Sequence, residues 1–264
     1  MNSDVFIPAR LESVRLPKKH LLELNGKPVI YHLVNRLKNC KKIRNIIVCT
    51  TTLSSDDPLV NYLHKEGILY FRGSATDILA RFLECAKKFN SDNIVDVEGD
   101  DIFTDPLYVD KIVEEMENTK LDFVSGNQSS NNFDSKYGFP HGIVPAGIHI
   151  AALKKICNLK ISTNTDTGYK EFFTKYDFFK TKFIFPESDL NISSNLRLTL
   201  DYEEDFELAK MIFKKLGPDF SFDDLLNLFN NEPELLQITQ SIIQKWQLNY
   251  KKNITNFSLR NENE

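Results

Sequence analysis

Short apolar runs alternate with helical repeats through the first half of this chain, and this alternation is what most constrains its fold. The strand-like runs cover residues 5–7, 46–49, 68–71 and 94–97, and the helical repeats cover 28–37, 58–65, 76–89 and 106–117. Strands that alternate with helices are typical of βαβ units, in which helices cover both faces of a parallel sheet. The sequence therefore predicts an α/β fold with a Rossmann-like, mostly parallel sheet and helices on both faces.

The second half of the chain is less regular. Apolar patterns predict further strands at 122–125, 148–150, 182–185 and 196–200, and helices at 203–215 and 222–229. The segment 126–147 is rich in Asn, Ser, Gly and Pro, which favours an irregular excursion, and 233–247 has no clear periodicity. Because 264 residues lie at the upper end of what one domain usually holds, we expect a single domain with appendages.

Charge and hydropathy exclude several classes of partner. The 33 basic and 37 acidic residues are interspersed, and this balance gives no field that would capture nucleic acid or an anionic membrane. No segment approaches the about 20 apolar residues of a membrane span, and the N-terminus has no apolar signal region. The four cysteines lack metal-ligand spacing, which favours reduced, inert thiols. We expect a cytoplasmic protein with no nucleic-acid or membrane partner.

A basic loop follows the first predicted strand. It spans residues 8–20 and carries Arg10, Ser13, Arg15, Lys18 and Lys19. In open α/β sheets ligands bind outside the carboxyl ends of the strands, and cationic side chains there can neutralise a triphosphate. The loop lacks the Gly-rich pattern of a Walker A motif. Since an ordinary solvated loop has the same charges, composition alone leaves both interpretations open.

Carboxylates follow the fourth predicted strand in the segment Glu98-Gly99-Asp100-Asp101, and another, Asp201, lies far downstream between a predicted strand and helix. Carboxylate oxygens suit Mg2+, which binds through a few carboxylates, phosphate oxygens and water. Aspartates are also favoured as helix N-caps. Both groups are therefore either metal ligands or caps on the residues alone.

Small and hydroxyl residues follow the second and third predicted strands. They are Thr50 to Thr52, and Gly73 and Ser74 within the segment 72–81. Such residues let a flat base approach the backbone, although Ser74 or Asp77 can equally cap the next helix. Arg81 stands four residues after Asp77, a spacing that also suits an ion pair on one helix face.

The basic loop is part of the string IPARLESVRLPKKHLLELNGKPVIYHLVNRL, which resembles the opening signature of the cytidylyltransferases of the 3-deoxy-manno-octulosonate and N-acylneuraminate type. The string RGSATDILARF resembles the branch named after spore-coat polysaccharide synthesis protein F. The strings VEGDDIFTDP and LRLTLDYEEDFEL resemble the two acidic segments of the same family. Lys18 stands where relatives commonly carry Gly, and Glu98 stands where several carry Gln or Thr.

The resemblance implies roles for individual residues. It assigns the catalytic residues Arg10, Arg15, Lys19 and Asp100, and it places Mg2+ on Asp100 and Asp201. It assigns nucleotide contacts to Pro8, Ala9, Arg10, Ser13, Lys19, Thr50, Gly73, Ser74 and Glu98. Asp205 is expected to be a structural partner, and Glu98 either accepts from the cytosine amino group or is held by a local basic residue.

By the same resemblance, the chain is expected to transfer CMP from CTP to a sugar-type acceptor and release pyrophosphate, in surface polysaccharide or glycoconjugate biosynthesis. Tyr137 and His141 are candidate acceptor contacts, and His141 could equally be a surface histidine. Alternative acceptors are a phosphorylated alditol, a sugar phosphate or a phosphonate, and a non-catalytic nucleotide-binding module is the rival from another class. A homodimer is expected, with a smaller acceptor and dimerisation subregion.

These roles divide the predicted domain. Residues 1–250 form one nucleotidyltransferase domain, in which 1–125 is the nucleotide-binding half and 126–215 binds the acceptor and completes the metal site. Residues 251–264 are expected to form a flexible tail.

Overall fold

A seven-stranded sheet forms the centre of the protein in the computed structural model, which describes residues 1–126, 138–186, 196–253 and 259–260. Its strands are β1 (Ser3–Pro8), β4 (Asn45–Thr51), β5 (Leu69–Gly73), β6 (Asn93–Asp96), β7 (Phe123–Ser125), β8 (Ala146–His149) and β9 (Thr181–Phe183). A two-stranded ribbon of β2 (Glu23–Leu24) and β3 (Lys27–Pro28) stands apart from it. β4 and β5 are therefore the second and third strands that the sequence predicted.

The strands lie in the order β5-β4-β1-β6-β8-β7-β9. β1 pairs in parallel with both β4 and β6, whereas β8 is antiparallel to its neighbours β6 and β7. The prediction of a mostly parallel sheet is confirmed. Since the chain leaves β1 toward β4 on one side and returns to β6 on the other, the topological switch point lies between β1 and β6.

Helices cover both faces of the sheet, as predicted. They are α1 (Val29–Leu37), α2 (Asp57–Lys65), α3 (Ile78–Phe89), α4 (Pro106–Thr119), α5 (Ile150–Leu159), α6 (Glu171–Thr174), α7 (Glu203–Leu216), α8 (Phe222–Asn231) and α9 (Gln237–Asn253). In β1, Val5 and Ile7 belong to the hydrophobic cluster that contains α1, α4 and α7, whereas Phe6 belongs to the cluster that contains α3 and α5. This alternation along a strand shows that both faces are buried.

One predicted strand is wrong. The segment 196–200 forms a single bridge, between Arg197 and His141, instead of a strand. Its amides are divided between two different loops, because Leu198 N–H donates to the His141 carbonyl at 2.9 Å and Leu200 N–H donates to the Asp100 carbonyl at 3.0 Å. The apolar alternation that predicted a strand therefore buries leucines against two loops at the edge of the sheet.

The C-terminal part contains a helix that sequence periodicity did not predict. α9 begins at Gln237 and ends at Asn253, and the backbone at Leu259 pairs with Lys160 beyond the end of α5. The division into a 1–250 domain and a 251–264 tail stays a prediction. No helix of the described residues is both long and apolar enough to cross a membrane.

Candidate active site

The loops that follow β1 and β6 meet at the switch point. Gly99 N–H donates to the Pro8 carbonyl at 3.2 Å, and the Gly99 carbonyl lies 3.1 Å from His20 Nδ1. His20 is 3% exposed, and burial together with the Lys19 ammonium lowers the pKa of His20 to about 4. A neutral imidazole therefore joins the basic loop to the acidic loop at physiological pH.

Gly99 has no room for a side chain, and this makes Gly99→Ala a test of the loop junction. An added Cβ would lie 2.7 Å from the Pro8 carbonyl oxygen and 2.8 Å from His20 Cε1. We expect Gly99→Ala to lower the free energy of unfolding by about 1–3 kcal/mol, as overpacking does. Denaturant unfolding measures this, and a midpoint equal to that of the unsubstituted protein would contradict the packing at this junction.

Lys19 brings together the two carboxylates that the sequence assigns to a metal site. Its Nζ donates to Asp100 Oδ2 and lies 3.1 Å from Asp201 Oδ1. Arg15 approaches the same Asp201 oxygen, with its guanidinium nitrogen at 2.6 Å. The basic loop, the acidic loop after β6 and the distant Asp201 thus converge on one ammonium group.

Arg197 occupies the other oxygen of Asp201. One guanidinium nitrogen lies 2.7 Å from Asp201 Oδ2, and the other lies 2.6 Å from Asp205 Oδ2. The same Asp205 oxygen accepts from the backbone N–H groups of Asp201 and Tyr202 at the start of α7. The carboxylate that caps α7 is therefore Asp205, which is confirmed as a structural partner, while Asp201 faces three cationic side chains.

The cap interpretation of Asp100 is also wrong. The N-cap of α4 is Asp105, whose side chain accepts from Leu107 N–H at 2.8 Å. Asp100 instead accepts from Lys19. Neither Asp100 nor Asp201 therefore caps a helix, and both contact the basic loop.

The charges at this centre stabilise one another. Burial lowers the pKa of Lys19, but the attraction of Asp100 and Asp201 outweighs it and raises that pKa above its ordinary value. Burial likewise raises the pKa of Asp201, but Lys19, Arg197 and Arg15 outweigh burial and lower it well below its ordinary value. Both side chains are therefore charged across the physiological pH range.

Two converging carboxylates fit a magnesium ion that completes its shell with phosphate oxygens and water. The Lys19 ammonium lies between Asp100 and Asp201, which shows that the two side chains can share one cation. In the described part of the chain, no group of three or more His, Cys, Asp or Glu residues gathers as a complete protein cage. Mg2+ binds most readily in such partial, oxygen-only sites.

The remaining side chains of the basic loop have individual partners. Arg10 donates to Asp166 Oδ2 at 2.7 Å, and Ser13 Oγ accepts from Leu16 N–H at 3.3 Å. The Ala9 amide donates to the Cys49 carbonyl of β4 at 3.2 Å. Lys18 has a φ of 54°, a left-handed conformation that Gly adopts without steric cost.

The residues predicted beside the base lie at the carboxyl ends of β4 and β5. Thr50 is fully buried, and its Oγ1 has no hydrogen-bond partner among the described residues. Ser74 Oγ accepts from Asp77 N–H at 3.1 Å, and Asp77 caps α3. An added Cβ on Gly73 would lie 2.9 Å from Arg81 Cγ, so Gly73 allows close packing of Arg81.

The predicted ion pair between Asp77 and Arg81 is wrong. Arg81 donates to the carbonyls of Ser74, Ala75 and Cys49 at 2.8, 3.2 and 3.3 Å. Asp77 pairs with Lys160 from the end of α5 instead. Arg81 therefore fixes the backbone that follows β5, since its guanidinium bridges three carbonyl groups of the loop and the neighbouring strand.

Glu98 belongs to a polar cluster with Lys170, which like Glu98 is partly exposed, and with the buried side chains of Asp96 and Tyr169. Lys170 Nζ lies 3.0 Å from Glu98 Oε1 and 3.1 Å from Asp96 Oδ2. The Tyr169 hydroxyl lies 2.7 Å from the same Glu98 oxygen and 2.6 Å from the same Asp96 oxygen. Glu98 is thus held by a basic residue, as one of the two interpretations expected, and base recognition by Glu98 stays a prediction.

The Tyr169 hydroxyl lies between two carboxyl groups, one of which has a raised pKa. A phenol has one hydrogen, whereas two ionised carboxylates can only accept. Burial raises the pKa of Asp96 to about 7, although Lys170 lowers it, and Asp96 is 0% exposed. The raised pKa means that Asp96 carries a proton over much of the pH range in which a free aspartate is ionised.

This proton gives a testable pH dependence. The ordinary pKa of Asp96 is 3.8, so between pH 4 and pH 7 the folded protein holds a proton that the unfolded chain has lost. The free energy of unfolding therefore falls as pH rises through this window. We expect this fall in the free energy of unfolding to be smaller in Asp96→Asn by at least about 1.4 kcal/mol, which corresponds to a shift of one pKa unit.

Urea unfolding of both proteins at pH 4.5 and pH 7.5 measures the difference. His20 acts in the opposite sense, because its lowered pKa makes stability rise between pH 4 and pH 6.5, so only the difference between the two proteins isolates Asp96. Parallel pH profiles for the two proteins would contradict the protonated carboxyl group.

Of the two candidate acceptor contacts, His141 belongs to the described residues. Tyr137 lies outside the described residues. His141 is exposed at the edge of the site, and its ring lies 5.0 Å from the ring of Trp246. A role for either residue in acceptor binding stays a prediction.

Sequence reasoning missed several residues of the site. Asp166 contacts Arg10, Tyr169 contacts Glu98, and His20 joins the two loops. No local pattern links these residues, since each pair is brought together by the sheet topology. Arg197 offered a signal, because it stands four residues before Asp201 within the acidic segment.

The fold and the site together are those of a nucleotidyltransferase, with the basic loop and the paired carboxylates meeting at the switch point of a doubly wound sheet. Residues 5–144, more than half of the chain, match the family described as cytidylyltransferase, and the protein belongs to that family. The resemblance found in the motifs is confirmed.

Individual relatives agree with this assignment. The chain is 28% identical to the spore coat polysaccharide biosynthesis protein SpsF of Bacillus subtilis, over 89% of this chain and 97% of that protein. It is 30% identical to the 3-deoxy-manno-octulosonate cytidylyltransferase of Actinobacillus pleuropneumoniae serotype 7, over 47% of this chain and 50% of that protein. The structure of a cytidylyltransferase from Leptospira borgpetersenii superposes with a TM-score of 0.77 at 29% identity, covering 90% of this chain and 97% of that one.

Proposed function

We propose that this cytidylyltransferase transfers CMP from CTP to a sugar-type acceptor, with release of pyrophosphate, and that it uses Mg2+ held by Asp100 and Asp201. The observation that carries the proposal is the meeting of these two carboxylates on Lys19, beside the basic loop. Relatives named for spore coat polysaccharide and for 3-deoxy-manno-octulosonate support an acceptor used in surface polysaccharide or glycoconjugate biosynthesis.

The cationic side chains would act on the triphosphate. In the reaction, an acceptor oxygen attacks the α-phosphorus of CTP and pyrophosphate leaves, so negative charge develops on the leaving group. Lys19 and Arg15, which contact Asp100 and Asp201, would offset that charge, and Arg10 would hold the α and β phosphates after releasing Asp166. Positioning and charge neutralisation supply most of the catalysis.

Mg2+ would polarise the α-phosphate oxygens. Asp100 is 21% exposed at its side chain and Asp201 is 8% exposed, so Asp100 is the more accessible of the two proposed ligands. The basic side chains that now neutralise these aspartates are the ones proposed to turn to the phosphates when the nucleotide enters.

Fewer observations support a particular class of acceptor. Lys170 is a candidate for binding the carboxylate of a 2-keto sugar acid, but in this structure it is paired with Asp96 and Glu98. Lys175 is exposed, and Lys136 lies outside the described residues. An alditol phosphate, a sugar phosphate or a phosphonate is therefore the second candidate acceptor.

Pyrophosphate release tests the proposal directly. Each of the four nucleoside triphosphates is combined with Mg2+ and a panel of 2-keto sugar acids, alditol phosphates, sugar phosphates and phosphonates. We expect release with CTP and one acceptor class, and none when EDTA removes the metal. Binding of CTP in a calorimeter without turnover of any acceptor would favour the non-catalytic module, and binding of no nucleotide would overturn both interpretations.

The proposal includes a homodimer in the cytoplasm, which family resemblance supports. Sedimentation at several protein concentrations tests the dimer. A single species with the mass of one 30.5 kDa chain at every concentration would contradict it.

A further inference from the structure

Helix α9 covers the guanidinium that holds Asp201. Trp246 is 6% exposed, and its ring lies 4.7 Å from Arg197 Cζ, within the range of a cation–π contact. On α9, Asn249 Nδ2 also donates to the Tyr202 hydroxyl at 3.1 Å, and Ile242 packs with Tyr202 and Trp246 in one buried cluster. The C-terminal helix thus packs against the start of α7, directly after Asp201.

The Arg197 guanidinium under this cover keeps one nitrogen without a hydrogen bond in the described part of the chain. Two of its nitrogens bind Asp201 and Asp205, but its buried Nε has no hydrogen-bond partner among the described residues. Nη1 also donates to the Thr199 carbonyl at 3.3 Å, and the Trp246 ring packs on the guanidinium group itself. A guanidinium is weakly hydrated and stacks well on aromatic faces, which suits it to this position.

We propose that Trp246 is a positioning residue of the active site: its ring holds the Arg197 guanidinium, which in turn fixes Asp201 with Oδ1 toward Lys19 and the cleft. This inference rests on the proposed metal role of Asp201. If Arg197 could swing away, Asp201 Oδ2 would lose its partner and the carboxylate would rotate, so the oxygen offered to the metal would no longer be in place. Substitution of a residue that holds a metal ligand in place typically lowers metal affinity or activity by about 10- to 100-fold.

The inference has a readout in the Mg2+ dependence of turnover. For Trp246→Ala we expect the Mg2+ concentration at half-maximal rate to rise about tenfold, with a much smaller change in the rate at saturating Mg2+. Trp246→Phe keeps an aromatic face and should recover most of the metal dependence. Ile242→Ala is the matched control, since it loses buried surface from the same cluster without touching the guanidinium.

A second readout needs no activity. The N–H groups of Asp201 and Tyr202 donate to Asp205, which is held by Arg197. In Trp246→Ala these two amides should exchange hydrogen for deuterium about tenfold faster, as in local opening of a loosened segment. Ile242→Ala should leave their exchange within about twofold of the unsubstituted protein once global stability is matched with denaturant.

Trp246 is the single tryptophan of the chain, so the intrinsic tryptophan fluorescence reports on the surroundings of this one ring. Addition of CTP and Mg2+ should shift the emission of the unsubstituted protein, and Asp201→Asn should remove the shift.

The outcomes separate the two proposals. Metal dependence and amide exchange in Trp246→Ala that match Ile242→Ala would overturn the positioning role while leaving the proposed function intact. Faster exchange with an unchanged Mg2+ requirement would overturn it as well. Failure of the chain to bind CTP would overturn the proposed function and, with it, the link from Trp246 to the metal.

Discussion

Asp100→Asn should lower turnover by about two to three orders of magnitude, because loss of several kcal/mol of transition-state stabilisation has that effect on a rate. The amide is close in shape to the carboxylate but is a poor ligand for Mg2+, and it cannot form the ion pair with Lys19. Pyrophosphate release at saturating CTP and Mg2+ measures the effect.

The fold should survive this change. Asp100 is partly exposed, and Lys19 keeps Asp201 as a partner. Asp223→Asn is the matched control, since it removes one exposed carboxylate from the first turn of α8, distant in sequence from both acidic segments. Near-normal turnover of Asp100→Asn, with thermal unfolding like that of the control, would exclude Asp100 from catalysis.

Arg197→Met should cause the largest loss of stability among the substitutions considered. Arg197 is 3% exposed and bridges Asp201 and Asp205, so its removal leaves two buried carboxylates short of a partner. Breaking a buried ion pair from one side costs about 3–5 kcal/mol. In a chain of this size the melting temperature should fall by on the order of 10 °C.

Lys210→Met, on the neighbouring helix α7, provides the comparison. Lys210 pairs with Glu207 at 2.6 Å, but both side chains are about half exposed, so the pair should contribute at most about 1 kcal/mol. Arg197→Lys should lie close to Arg197→Met, because one ammonium cannot reproduce a fork between two carboxylates. Equal melting temperatures for Arg197→Met and Lys210→Met would contradict the buried bridge.

Much of the nucleotide half could be predicted because its signals are local. Helical spacing from Val29 to Leu37 and the apolar run at Ile46 to Cys49 each lie within one element, so the order of strands and helices follows from pattern. The loops worth searching then follow from the rule that ligands bind at the carboxyl ends of strands.

The second half could not be predicted in the same way, because its contacts are long-range. The segment 196–200 alternates like a strand, yet its amides bind the loops at His141 and Asp100. Periodicity describes which side chains are buried, but it cannot say whether the neighbour is a strand or two loops. Trp246 likewise gave no site signal, since its partner Arg197 is brought to it only by the packing of α7 and α9.

The reversed direction of β8 has a consequence for how such a protein can diversify. Ala146, at the start of β8, lies opposite Asp96 at the end of β6, so the segment that enters β8 reaches the same rim as the segments that leave β1 and β6. A strand running the other way would have delivered that entry segment to the opposite rim. Changes of length or composition ahead of Ala146 can thus alter the rim at which the segments after β1 and β6 meet. The four consecutive parallel strands β5, β4, β1 and β6 need not change.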